Sequence, residues 1–123
     1  MPTVLWIALG GAMGAVARWF VSGYVTKWSG GSWPLGTFAV NVLGCFALGI
    51  FLELAATRGW IDSAKHAHWA IGFLGAFTTF STFAAEADSL MRRESMLHAG
   101  AYAAVSVLVG FTAFAIAKSL VRA

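Results

Sequence analysis

The sequence predicts an all-α membrane protein with four transmembrane helices, the third of which is broken. Of the 123 residues, 59% are hydrophobic and 11% are charged, whereas a soluble domain of this size carries about a quarter charged residues. Four apolar stretches reach the length of about 20 residues that a transmembrane helix needs. The third stretch contains a cluster of small, hydroxyl and aromatic residues that does not suit an unbroken helix.

The four stretches follow one another with short connections and leave room for one domain only. They run roughly over residues 4–25, 34–56, 67–90 and 95–117. A glycine-rich loop precedes Pro34, a residue that suits a helix start, and Arg92-Arg93-Glu94 is predicted to form the last turn. The whole chain, 1–123, is therefore predicted to be a single transmembrane domain.

The break is predicted within the segment Gly72-Phe73-Leu74-Gly75-Ala76-Phe77-Thr78-Thr79-Phe80-Ser81-Thr82-Phe83. Serine and threonine side chains compete for backbone hydrogen bonds and bend helices. A non-helical turn at membrane depth must be buried in protein or line a wet cavity, and the backbone groups that it frees can bind ions. A kinked helix, with its hydroxyls bonded back to carbonyls, is the less favoured alternative.

Positive charge is balanced between the two sides of the predicted bundle. Arg58, Lys65, Lys118 and Arg122 lie on the side of the termini, and Arg18, Lys27, Arg92 and Arg93 lie on the other side. Positive residues normally favour the cytoplasm, so a balanced chain is predicted to insert both ways and to pair as an antiparallel homodimer. The alternative is one weakly chosen orientation.

Hydrogen-bonding residues within a span are candidates for function. Thr37 and Asn41 lie one helical turn apart on one face, and Asn41 can either donate to an anion or join helices. Phe80 and Phe83 also share a face, and the positive edges of their rings could attract an anion. Simple packing is the commoner role for such a pair.

The other candidates lie in the fourth span and near the span ends. Tyr102 and Ser106 could extend a line of O–H donors or could satisfy a neighbouring backbone. Arg18 could draw anions at an aqueous mouth or extend its charge to the interface. Glu86 is expected to face a vestibule or to pair with an arginine.

Several classes of function find no support in the sequence. Basic residues are scattered, which indicates contact with membrane lipid rather than with nucleic acid. The chain has neither a phosphate-binding loop in its strand–helix context nor a Ser/His/Asp set or paired carboxylates, so the protein is predicted not to be an enzyme.

The chain resembles the Fluc (CrcB) family of fluoride channels over nearly its whole length. The resemblance rests on the third-span segment given above, on Tyr102 with Ser106, and on two further motifs. These are Gly10-Gly11-Ala12-Met13-Gly14-Ala15-Val16-Ala17-Arg18 and Gly36-Thr37-Phe38-Ala39-Val40-Asn41-Val42-Leu43-Gly44. The third-span motif is highly specific.

The resemblance implies a dual-topology, antiparallel homodimer in the bacterial inner membrane, with two pores that let fluoride leave the cytoplasm passively. It implies that Phe80 and Phe83 offer ring edges to fluoride and that Asn41 donates hydrogen bonds. The candidates that it implies for a polar track are Thr37, Ser81, Thr82, Tyr102 and Ser106.

The resemblance also implies a structural sodium ion on the dimer axis, held by the main-chain carbonyls of Gly75 and Thr78. Arg18 matches the first-span arginine of the family, and Glu86 matches its acidic residue after the break. Ala76 departs from the pattern, because a second glycine is common there.

Two other readings compete with a channel. A small proton-coupled multidrug antiporter has a similar size, but it needs a carboxylate in the first span, where this chain has Arg18 and no acidic residue. A structural subunit of a larger complex would explain the glycines but not the segment from Thr78 to Phe83.

Overall fold

The computed structural model describes residues 2–59 and 64–123, and these residues are almost entirely helical. Their five helices are α1 Thr3–Ser29, α2 Leu35–Arg58, α3 Ala64–Phe77, α4 Phe80–Arg93 and α5 Met96–Arg122. The all-α prediction is thereby confirmed. Three of the helices, α1, α2 and α5, are long and apolar enough to cross a membrane, and they coincide with the first, second and fourth predicted spans.

Two shorter helices occupy the third apolar stretch. α3 and α4 have 14 residues each, which corresponds to about 21 Å at 1.5 Å per residue, and Thr78 and Thr79 lie between them. The pair extends beyond the predicted 67–90 at both ends. α4 continues through Arg93, and the amide of Glu94 still donates to the Leu90 carbonyl at 2.8 Å, so the connection to α5 is shorter than predicted.

Glycines let the helices pack with their backbones in contact. A Cβ atom added at Gly10 or Gly14 of α1 would collide with the backbone of Trp69 or Phe73 in α3. At Gly49 of α2 it would meet the Phe114 carbonyl oxygen of α5 at 2.6 Å. Helices associate in lipid through such close packing, because the hydrophobic effect does not drive their association there.

α2 and α5 run side by side in the same direction. At their beginnings, the rings of Trp33 and His98 lie 5.7 Å apart. At their ends, Nε of Arg122 donates to Oε1 of Glu53 at 2.7 Å. The loop between α1 and α2 and the turn before α5 therefore lie at one end of the bundle, called the loop end below.

The outer surface is apolar. Trp19 on α1 and Phe111 on α5 are each 72% exposed, whereas few large apolar side chains are fully buried, among them Val40 and Leu90. A surface of this kind is unfavourable in water and matches the hydrocarbon of a bilayer.

Candidate functional site

The side chain of Asn41 holds the segment between α3 and α4. Its Nδ2 donates to the carbonyl oxygen of Thr79 at 3.0 Å, and its Oδ1 accepts from the amide of Thr79 at 2.8 Å. Thr79 is buried and extended, with φ −150° and ψ 122°. The two bonds replace those that a helix would give this residue, and Asn41 keeps one N–H for another acceptor.

Thr79 also begins α4. Its hydroxyl accepts from the amide of Thr82 at 3.2 Å, which is the standard arrangement of a helix N-cap. Sequence reasoning treated Thr79 only as a member of the hydroxyl cluster. The signal that could have identified its role is the threonine placed three residues before the capped amide, at the start of a new amphipathic helix.

These contacts free two carbonyl groups at the end of α3. In a continuous helix the amides of Thr79 and Thr82 would donate to the carbonyls of Gly75 and Thr78. Here the Thr79 amide donates to Asn41, and the Thr82 amide donates to the Thr79 hydroxyl. The carbonyls of Gly75 and Thr78, which the resemblance implies for sodium, therefore lack their usual helical donors. Those of Ala76 and Phe77 also receive no backbone amide from α4 within the described residues, as is general at a helix end.

Gly44 of α2 lets this segment approach closely. A Cβ atom added at Gly44 would collide with the Thr78 methyl group. The hydroxyl of Thr78 turns the other way and donates to the Leu74 carbonyl at 2.8 Å. The segment is thus fixed on α2 by Asn41 on one side and by the bare backbone of Gly44 on the other.

Glu86 joins three helices. The buried hydroxyl of Thr37 in α2 donates to its Oε1 at 2.9 Å, and the buried hydroxyl of Tyr102 in α5 donates to its Oε2 at 3.2 Å. The sequence predicted these three residues separately, with Glu86 in a vestibule or beside an arginine. The structure brings them together as one hydrogen-bonded group.

Aromatic side chains extend from the start of α4 to α5. The ring centroids of Phe80 and Phe83 lie 5.6 Å apart, and those of Phe83 and Tyr102 lie 5.1 Å apart. Phe80 is 80% exposed, so its ring has little contact within one chain. One turn beyond Tyr102, the buried Oγ of Ser106 finds no hydrogen-bond partner within the described residues.

Two cavities share Thr79 in their lining. The first, called the central groove, has a volume of about 510 Å³ and includes Asn41, Gly44, Gly75, Thr78 and Phe80 in its lining. The second, called the Arg18 cavity, has a volume of about 420 Å³. Its polar lining consists of Arg18, Ser22, Thr37, Thr79 and Thr82.

Most of the predicted site residues are thus brought to one region. Ser81 and Thr82 are exposed at the start of α4 beside Phe80. Thr82 lines the Arg18 cavity with Arg18 and Thr37. Neutral amide, hydroxyl and aromatic groups are present in a largely apolar lining, with the cation of Arg18 and the hydrogen-bonded carboxylate of Glu86 near them. Such a lining can replace the hydration of a small anion without trapping it.

Long apolar helices and a polar site at the interruption between α3 and α4 define the class as multi-pass membrane proteins. The chain belongs to the CrcB family, since the family model described as CrcB-like protein, Camphor Resistance (CrcB), matches residues 5–118. The family resemblance predicted from the motifs is thereby confirmed.

Curated relatives match three quarters of the chain or more. A protein named fluoride-specific ion channel FluC from Rhizobium etli (strain CIAT 652) is 41% identical over 117 residues, which are 95% of this chain and 94% of the relative. A protein of the same name from Hahella chejuensis is 38% identical over 122 residues, 99% of this chain and 96% of the relative. Another, from Magnetococcus marinus, is 46% identical over 92 residues, 75% of each chain.

Proposed function

We propose that the protein is a passive, fluoride-selective channel that lets fluoride leave the cytoplasm and so relieves its toxicity. The observation that carries this proposal is the full-length similarity to relatives named as fluoride-specific channels. The same names speak against an enzyme, and the absence of any acidic residue from α1 speaks against a proton-coupled antiporter.

The lining near the interruption suits fluoride. Fluoride is small and strongly hydrated, so a pore must replace its water with several donors. The free N–H of Asn41, the hydroxyls of Ser81 and Thr82, and the ring edges of Phe80 and Phe83 are such groups. None of them carries a full positive charge, which keeps binding weak enough for release.

The polar track would continue from these groups along α5. Thr37 and Tyr102 direct their hydroxyl protons to Glu86, so each presents oxygen lone pairs rather than a proton to a passing ion in this arrangement. Rotation of either hydroxyl would offer the proton to fluoride instead. The buried Oγ of Ser106, which has no hydrogen-bond partner among the residues described, could donate without such a change.

α3 and α4 together would form the third of four transmembrane segments, broken at Thr78 and Thr79. Each alone, at about 21 Å, is shorter than the hydrocarbon core of about 30 Å. Two chains would pair in antiparallel orientation through the central groove. This arrangement is supported by the balanced positive charge and by the outward opening of a groove that contains polar groups of the interruption.

The carbonyls of Gly75 and Thr78 fit a structural sodium ion at the centre of such a dimer. Both have lost their usual helical donors, and Gly75 is exposed with open space beside it. Unwound backbone carbonyls are the ligands that bind Na⁺ in other membrane proteins. Two carbonyls from each chain would supply four oxygen ligands, and the bound ion would compensate for the negative ends of four carbonyl dipoles.

The location would be the inner membrane of a bacterial cell, where a negative-inside potential drives anions outward. Protonated fluoride enters from acidic surroundings and dissociates in the cytoplasm, so a passive channel is sufficient for export.

Efflux from liposomes tests the proposed function. The purified protein is reconstituted, and loss of fluoride and of chloride is followed with ion-selective electrodes under a potassium gradient with valinomycin. Fast fluoride efflux with little chloride efflux is expected. Equal permeation of both ions, or no permeation of either, would exclude the proposed function.

A further inference from the structure

A third cavity opens at the loop end of the bundle, between α4 and the loop that precedes α2. It has a volume of about 140 Å³, and its lining includes Trp33, Pro34, Glu86, Ser89 and Arg93. We call it the Arg93 cavity. Trp33 in this lining also packs against the ring of His98 in α5, with the ring centroids 5.7 Å apart.

One face of α4 runs along this cavity. Glu86, Ser89 and Arg93 are spaced by three and four residues and so share that face. Glu86 lies at the inner end, where it accepts hydrogen bonds from Thr37 and Tyr102. Arg93 lies at the outer end, two helical turns away.

Arg93 is oriented by its neighbour. Its Nε donates to Oγ of Ser89 at 3.1 Å, which uses one of the five guanidinium donors. The bond ties the side chain to the face of α4 that lines the cavity, so its positive charge lies beside the entrance.

The preceding arginine is arranged differently. Arg92 forms an ion pair with Asp88 at 2.9 Å, and these two side chains are 73% and 54% exposed. Arg92 is not among the residues that line the Arg93 cavity. Two adjacent arginines at one helix end thus differ in environment: one charge is compensated by a carboxylate, and the other lies at a cavity.

We propose that Arg93 recruits the anion at the loop end of the conduction path. This inference rests on the proposed function. Without Arg93, the carboxylate of Glu86 would give the cavity a negative potential that repels fluoride. The guanidinium offsets that charge and raises the local anion concentration by long-range attraction.

The hydrogen bond between Thr37 and Glu86 connects this entrance with the rest of the site. Thr37 lines the Arg18 cavity, and Glu86 lines the Arg93 cavity. The 2.9 Å hydrogen bond between these two side chains therefore lies between two cavities, each of which is lined by one arginine. Arg93 therefore attracts fluoride on the side of this contact that Arg18 does not face.

Ionic strength provides the test. Fluoride flux is measured for wild type, Arg93→Gln, Arg93→Glu, Arg93→Lys and Arg92→Gln at about 0.01 M and about 1 M potassium gluconate, where the Debye lengths are about 30 Å and 3 Å. At low ionic strength, Arg93→Gln is expected to lower flux about two- to fourfold, as expected for one charge several ångströms from the ion path. Arg93→Glu should lower it further, and Arg93→Lys should retain most of it.

Arg92→Gln is the matched control, because it changes net charge by the same amount at the adjacent residue and should leave flux close to that of wild type. The ratio of low-salt to high-salt flux is compared for each variant, which cancels differences in the amount of folded protein. If the ratio of low-salt to high-salt flux is the same for Arg93→Gln and Arg92→Gln, the proposal that Arg93 in particular attracts the anion is overturned. A wild-type protein without fluoride flux would instead overturn the proposed function.

Discussion

At the scale of the residue, Asn41 has a dual position. Its amide binds both backbone groups of Thr79, and it lines the central groove. From the sequence, joining helices and donating to an anion were equally acceptable roles. The structure shows the first contact, and the N–H that remains permits the second.

Replacing Asn41 by aspartate tests its place in the pore. Asn41→Asp keeps the acceptor for the Thr79 amide but turns a carboxylate oxygen toward the Thr79 carbonyl in place of the Nδ2 donor, which costs more than the roughly 1 kcal/mol of one lost hydrogen bond. It also places a negative charge in the pore, so fluoride efflux from liposomes is expected to be abolished while the dimer persists on size-exclusion chromatography. Efflux at the wild-type rate would show that Asn41 does not line the pore.

Phe80 can be tested without disturbing a core, because its side chain is 80% exposed in one chain. Phe80→Ile keeps an apolar side chain but removes the ring edge that would contact fluoride. Fluoride efflux is expected to be abolished with the dimer unchanged. Phe111→Ile, at an equally large exposed ring on α5, is the matched control and should conduct normally; a conducting Phe80→Ile would assign Phe80 to packing.

At the scale of the element, an ion cluster fastens the ends of α2 and α5. The Glu53 side chain is 5% exposed and contacts Arg122 at 2.7 Å and Lys118 at 3.7 Å. Glu53 is the first charged residue of the predicted second span, 34–56. Its partners lie 65 and 69 residues away, so no local pattern could have indicated the cluster.

Neutralising Glu53 should weaken this end of the bundle. In Glu53→Gln two cations lose the carboxylate that they share. The Glu53 side chain is 5% exposed, but those of Lys118 and Arg122 are 34% and 62% exposed, so the loss is expected to lie between that of an exposed pair and that of a buried one. A lower thermal midpoint in detergent is expected. Asp88→Asn removes a carboxylate from an exposed pair on α4, which contributes little, so an equal shift in both variants would contradict a special role for the Glu53 cluster.

At the scale of the whole molecule, the proposed dimer predicts effects of substitutions whose added side chain would meet no other atom of the same chain. A Cβ atom added at Gly75 or at Gly100 meets no atom within 4 Å, but only Gly75 lines the central groove. Gly75→Leu is expected to dissociate the dimer and abolish fluoride efflux, because the side chain would occupy the partner and sodium position. Gly100→Leu should do neither.

Crosslinking and size-exclusion chromatography measure this difference. A Gly75→Leu protein that remains dimeric and conducts would place both the partner and the sodium ion elsewhere. Dissociation of both variants would indicate a general effect of an added side chain on helix packing rather than a contact at the groove.

Much of the architecture was predictable from the sequence because its signals are local. Three apolar stretches became α1, α2 and α5 with shifts of a few residues, since length and hydropathy act within each segment. The prediction of where α4 ends was less accurate. The sequence predicted a turn at 92–94, but α4 continues through Arg93, and along it Arg92 pairs with Asp88 and Arg93 donates to Ser89.

By itself, the sequence determined the class, the apolar helices and the segment in which the third stretch changes from α3 to α4. Only the tertiary structure decided which partners the polar residues take: Asn41 with Thr79, 38 residues apart, and Thr37 with Glu86, 49 residues apart. Hydropathy and capping act over a few residues. Hydrogen bonds between helices depend instead on the rotation and close approach that packing allows, as at Gly44, where the absence of a side chain admits Thr78.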